Sequence, residues 1–106
     1  MQLIQDKYKS ARSGKSKILN IHCRECDTIV IEYQKDGIGN LYRLYMDRIM
    51  APDEYIGLQK KAIRDIEPLR CQQCKAIIAT PYIYKKEQRN AFRIVQEAMV
   101  KRIKKL

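Results

Sequence analysis

Two Cys-x-x-Cys stretches, Cys23-Arg24-Glu25-Cys26 and Cys71-Gln72-Gln73-Cys74, hold all four cysteines of the 106-residue chain and are separated by residues 27–70. Any fold open to this chain has to account for both. Two turns that each offer two thiolates make a four-sulfur tetrahedron when brought together, the geometry zinc prefers, with Zn–S bonds of about 2.3 Å. The flanks also match. Ile21-His22-Cys23 and Cys26-Asp27-Thr28-Ile29-Val30 lie over Leu69-Arg70-Cys71 and Cys74-Lys75-Ala76-Ile77-Ile78. This pseudo-repeat predicts two strand–knuckle–strand hairpins facing each other across one metal ion.

Other uses of four cysteines fit less well. Residues Met1–Lys7 contain no apolar run of the kind a secretory signal needs, so a cytoplasmic location with reduced thiols is expected, which disfavours two disulfides. A redox Cys-x-x-Cys opens a helix in a βαβ setting, whereas both pairs here sit between strand-like runs. Iron in a rubredoxin-like site uses the same spacing and stays open at this stage, with zinc preferred. A closed set of four cysteines leaves no position for water or substrate, so the expected Zn2+ is single and structural. Four thiolates around it carry a net charge of −2, which His22, Arg24, Arg70 and Lys75 are placed to offset. His22 is read as a supporting residue beside a complete ligand set.

Charge is the second informative signal. The formal net charge is +10, and residues 21–84 hold nine acidic and nine basic side chains. All of the excess therefore lies at the ends. Lys7, Lys9, Arg12, Lys15 and Lys17 stand in an N-terminal stretch with no apolar periodicity, which reads as a flexible basic arm over residues 1–17. Residues 85–106 add Lys85, Lys86, Arg89, Arg93, Lys101, Arg102, Lys104 and Lys105 against two glutamates.

The expected fold class is α+β: a small antiparallel β module over residues 18–84, a connector helix, and an amphipathic basic helix over 85–106. Ile18–Cys23 and Thr28–Gln34 are strands. Asp36-Gly37-Ile38-Gly39-Asn40 is a hairpin signal, and Leu41–Arg48 is the expected return strand. Tyr33, Tyr42 and Tyr45 could stack on bases, although tyrosine also simply covers small sheets. Between Pro52 and Pro68, the spacing of Tyr55, Leu58, Ala62 and Ile66 suggests a short helix, despite Gly57. Ala76–Tyr84 is a strand in which Pro81 demands a sheet edge or bulge. From Glu87 to Lys105, Phe92, Val95, Met99, Ile103 and Leu106 form a helical stripe opposite a basic face, while Ala91–Val95 also alternates like a strand.

The paired knuckles resemble the zinc-ribbon superfamily, and the long insert between them is similar to the β-tent arrangement of Yippee-like proteins. The resemblance covers about residues 18–84 and rests chiefly on Cys23, Cys26, Cys71 and Cys74, which it implies are the metal ligands. The glycine that usually follows the second cysteine of such a knuckle is Asp27 in one and Lys75 in the other. The resemblance implies roles in ribosomal proteins, transcription machinery or protein docking.

Together the two signals predict a structural-zinc protein that binds nucleic acid, RNA in preference, in a ribosomal or other ribonucleoprotein setting. Contacts are expected from Lys7, Lys9, Arg12, Lys15 and Lys17 on the arm and from Arg89, Arg93, Lys101, Arg102, Lys104 and Lys105 on the C-terminal segment. The alternative is a zinc-stabilised adaptor whose neutral module or Phe92 stripe meets a protein partner. Paired carboxylates, a nucleophile–base grouping and a phosphate loop are all lacking, so no enzyme is expected.

Overall fold

A computed structural model describes residues 16–37 and 39–104, which form eight strands: β1 (Ser16–Cys23), β2 (Ile29–Asp36), β3 (Arg43–Tyr45), β4 (Ile49–Ala51), β5 (Leu69–Arg70), β6 (Ile77–Tyr84), β7 (Arg89–Ile94) and β8 (Met99–Ile103). They make two antiparallel four-stranded sheets, in the orders β4-β2-β1-β8 and β3-β7-β6-β5. Each cysteine stretch joins two adjacent antiparallel strands, β1 to β2 and β5 to β6.

The two hairpins correspond residue by residue. In the first, Ile21 pairs with Ile31 and His22 with Ile29, leaving a bulge between them; in the second, Leu69 pairs with Ala79 and Arg70 with Ile77, with the same bulge. Burial follows suit. Ile21 and Leu69 are fully buried, as are Val30 and Ile78 to within a few per cent, while Ile29 and Ile77 are both exposed. The extra residue in each bulge turns one isoleucine outward and keeps its neighbour in the core, so the repeated aliphatic pattern specifies a repeated backbone.

One apolar cluster joins the sheets. Leu19, Ile21, Val30, Ile31, Tyr33, Ile49 and Met99 come from one, and Leu44, Leu69, Ile78, Ala79, Phe92 and Ile94 from the other. Single 3₁₀ turns at Met46–Arg48 and Gln96–Ala98 carry the chain across from β3 to β4 and from β7 to β8. Pro81 falls where β6 has only β7 beside it, because β5 pairs no further than Ala79, so its missing N–H costs no ladder bond.

The α+β expectation is corrected: among the described residues the fold is β, with helical structure confined to single 3₁₀ turns. The expected C-terminal amphipathic helix is instead β7, a 3₁₀ turn and β8, with Gln88 turning the chain at φ +52°. Its supposed stripe is not one face, since Phe92 and Met99 are buried while Val95 and Ile103 are 43% and 61% exposed. Partners explain the outcome. β7 lies between β3 and β6, and β8 pairs with β1, so long-range ladders override a local period that both structures could use. The connector helix is also absent; residues 53–65 hold three separate 3₁₀ turns, with Gly57 at φ +90° between the first two. The expected hairpin between β2 and the strand after it is a crossover instead: β3 pairs with β7, and it is β4 that returns to β2.

Candidate metal centre

The first knuckle is set by two backbone hydrogen bonds: Cys23 N–H donates to the Thr28 carbonyl at 2.8 Å, and Asp27 N–H to the Cys23 carbonyl at 2.8 Å. The second repeats them, Cys71 N–H to Ala76 and Lys75 N–H to Cys71, both at 2.9 Å. To close these turns Asp27 and Lys75 adopt φ of +62° and +69°, the left-handed conformation that glycine would take more easily. Aspartate has a use for the position. The carboxylate of Asp27 lies 3.3 Å from His22 Nδ1 and 3.1 Å from Arg102 Nη1, and its carbonyl accepts from the His22 ring at 3.0 Å. Lys75 bonds back to the Gln72 carbonyl at 3.0 Å.

So placed, the sulfurs of Cys23, Cys26, Cys71 and Cys74 all lie within 4.8 Å of one another. The shortest approaches run between knuckles, Cys23 to Cys74 and Cys26 to Cys71, each 3.5 Å. A tetrahedron with metal–sulfur bonds of about 2.3 Å has edges of about 3.8 Å, so the four positions suit one ion. All four thiols are free. Cys23 and Cys71 are buried and Cys26 and Cys74 exposed, which sets the site at the surface end of the core with one side toward solvent.

Electrostatics points the same way. The Thr28 hydroxyl, 3.2 Å from Cys26 Sγ, and then the Thr28 backbone draw the Cys26 thiol down to about 6. At Cys74 the Ala76 N–H favours the thiolate, yet the Cys23 sulfur, desolvation and the other two sulfurs oppose it and push the thiol up to about 12. Sulfurs this close cannot all carry negative charge unaided. A cation among them would remove that conflict. The arginines beside the knuckles bond to backbone: Arg24 Nη2 donates to the Met99 carbonyl at 3.2 Å and Arg70 Nη1 to the Lys75 carbonyl at 3.3 Å.

The residues expected to meet phosphates are distributed unevenly. Lys7, Lys9, Arg12, Lys15 and Lys105 lie outside the described residues. Lys17, Lys101, Arg102 and Lys104 stand on the neighbouring strands β1 and β8, with Leu19 opposite Ile103, so strand alternation puts Lys17 and Lys101 on one face and Arg102, which pairs with Asp27, and Lys104 on the other. Of these Lys17, Lys101 and Arg102 are exposed, whereas Lys104 is half-buried and paired with Glu32. Arg93 is exposed on the other sheet, 4.4 Å from the centre of the Tyr82 ring. Arg89 is turned inward at 4% exposure, held by Asp47 at 2.5 Å and Glu87 at 2.9 Å over the face of Tyr45.

Sequence reasoning placed Arg24 beside the site but not its anchor on β8, and it missed the group of Ser16, Gln34, Asp36 and Arg48. There Asp36 accepts from Ser16 at 2.7 Å, Gln34 at 2.9 Å and Arg48 at 2.8 Å. Burial alone would raise its pKa, but these donors hold the carboxyl below the usual value. Nothing local marks this group, since Asp36 and Arg48 meet only through the crossover. No family model, curated protein or solved structure matches the chain.

Proposed function

We propose that the chain is a structural-zinc protein that binds nucleic acid, RNA in preference, with one Zn2+ held by Cys23, Cys26, Cys71 and Cys74. Zinc is favoured over iron because a closed four-thiolate site on two facing knuckles is its usual structural setting, and the likeness to zinc ribbons rests on the same four ligands. The ion has no open position for substrate, so its part is to join the two sheets.

One observation carries the nucleic-acid reading: the pairing of β1 with β8 places the first and last described residues side by side, Lys104 N–H donating to the Ile18 carbonyl at 2.8 Å. The cationic terminal stretches of a chain whose middle is neutral therefore adjoin the same end of two neighbouring strands, β1 and β8. Clustering cations in this way favours a polyphosphate, whose binding is driven by release of condensed counterions and tracks backbone charge. A ribosomal or other ribonucleoprotein setting suits such a surface.

The test is RNA binding measured across a salt series, with Lys17, Lys101 and Arg102 replaced together by glutamine. The reading expects affinity to fall steeply with salt, and the slope of log K against log salt to become shallower by about 0.7–0.9 for each phosphate that the variant no longer neutralises. Binding insensitive to salt and to the triple replacement would overturn it and favour an apolar protein interface.

A further inference from the structure

Two cavities adjoin along the inner side of β8. One, of about 520 Å³, is lined by Arg24, Asn40, Leu41, Tyr42, Gln96, Met99, Val100 and Lys101; the other, of about 300 Å³, by Lys17, Leu19, Lys35, Gly37, Gly39, Lys101 and Ile103. Lys101 belongs to both, and together they make a trough between the edge strand and crossover residues 37 and 39–42. Four cations line it, Arg24, Lys101, Lys17 and Lys35, and no carboxylate does among the described residues. Its floor is apolar, from Leu19, Met99 and Leu41.

Tyr42 stands at the rim and is unlike the other tyrosines. Tyr33 and Tyr45 are buried, and the rings of Tyr82 and Tyr84 lie beneath Arg93 and Arg43, at 4.4 and 4.0 Å from their centres. Tyr42 is 62% exposed, the only large aromatic side chain so exposed among the described residues. Its hydroxyl accepts from Asn40 Nδ2 at 3.2 Å, a bond that orients the ring. An exposed aromatic ring at the rim of a cation-lined trough suits unpaired bases. The ring stacks on a base, the cations follow the phosphates, and a stiff duplex cannot bring both to the trough at once.

We propose, resting on the nucleic-acid reading above, that the trough along β8 is a site for a single-stranded segment, such as the loop of a structured RNA, with Tyr42 as its base-stacking platform. Tyr42 supplies discrimination between unpaired and paired strands, and Lys17, Arg24 and Lys101 supply affinity that does not depend on sequence.

Fluorescence anisotropy on the zinc-loaded full chain tests this with a labelled oligouridylate of about 12 nucleotides, within single-strand site sizes, and a blunt-ended, loop-free duplex of equal phosphate count. The single strand is expected to bind more tightly than the duplex. Tyr42→Ala should weaken the single strand about tenfold or more and leave the duplex unchanged, Tyr42→Phe should restore it, and Lys101→Gln should weaken both probes. A deoxy version of the strand bound equally supports a site that reads unpaired bases in either chemistry. Equal, salt-sensitive binding of both probes with no effect of Tyr42→Ala would overturn the single-strand site and leave the nucleic-acid reading intact. Absence of binding to either probe would overturn both. Displacement of the oligonucleotide by polyglutamate at matched charge, indifferent to Tyr42→Ala, would assign the trough to acidic peptides instead.

Discussion

The two knuckle hairpins share a sequence pattern, a bulge and a hydrogen-bond pair, yet they are supported very differently. The first sits inside its sheet: β1 has β2 on one side and β8 on the other, and its knuckle is tied to the last crossover by Arg24 N–H to the Ala98 carbonyl at 3.0 Å. Its far end is closed by the buried carboxylate of Asp36. The second is marginal. β5 is a two-residue edge strand, the far end of β6 opens into the exposed turn 85–88, and the knuckle's reach beyond itself is a bond from Gln72 to Glu54 at 2.6 Å between exposed side chains. Equal ligands therefore need not contribute equal order: the first hairpin has sheet partners on both strands, whereas the second is anchored through β6 on β7 alone and would lean more on a shared metal.

The sharpest way to break that comparison is to remove one ligand. Cys71→Ser lies in the weaker hairpin, but a shared ion predicts loss of both sheets, because structural zinc contributes about 10–16 kcal/mol in small peptides and a domain of this size is stable by only about 5–15 kcal/mol. Dispersed amide signals retained for β1 and β2 alone would show that the halves are independent. Next in size, Asp36→Ala removes the nearer of the two carboxylates beside the buried Arg48, with Asp47 at 3.8 Å remaining, and should cost about 3 kcal/mol in chemical denaturation. Because the carboxyl is held below its ordinary value of 3.8 in the fold, its stabilisation is complete above that value and disappears as the pH falls through the lower folded one. Asp36→Ala should therefore lose much of the acid-induced fall in stability that the parent shows below about pH 4.

A smaller effect sharpens the contrast without mutation. Amide exchange at Lys75 should exceed that at Asp27 by about fivefold or more, the signature of roughly 1 kcal/mol less local stability in the second knuckle. Equal protection would mean that the metal levels the two. Smallest of all, Lys75→Gly should raise the melting temperature slightly, by relieving a left-handed lysine worth about 1 kcal/mol. Asp27→Gly should gain less, since it also removes the contacts to His22 and Arg102.

What was legible in the sequence was whatever the chain encodes within a few residues. The four cysteines and the aliphatic pattern around them specify two knuckles and their flanking strands, because ligand spacing and strand alternation are local. Residues 87–105 mislead because Phe92, Val95, Met99 and Ile103 satisfy a helical period while Ala91–Val95 also alternates; the choice between them is made with β3 and β1, far away in sequence. The same distance hides the Asp36–Arg48 pair and the inward turn of Arg89. Tyr42 is visible as one of three tyrosines with a possible role in stacking, and only burial separates it from Tyr33 and Tyr45.

The central claim is that one metal ion on four cysteines binds the two sheets into a single fold. Native mass spectrometry of the purified chain, followed by two-dimensional amide NMR before and after chelation, tests it most directly. The account predicts one zinc per chain and collapse of the dispersed spectrum of both sheets when it is withdrawn, with recovery on its return. A metal-free chain that keeps both sheets at full dispersion would contradict it.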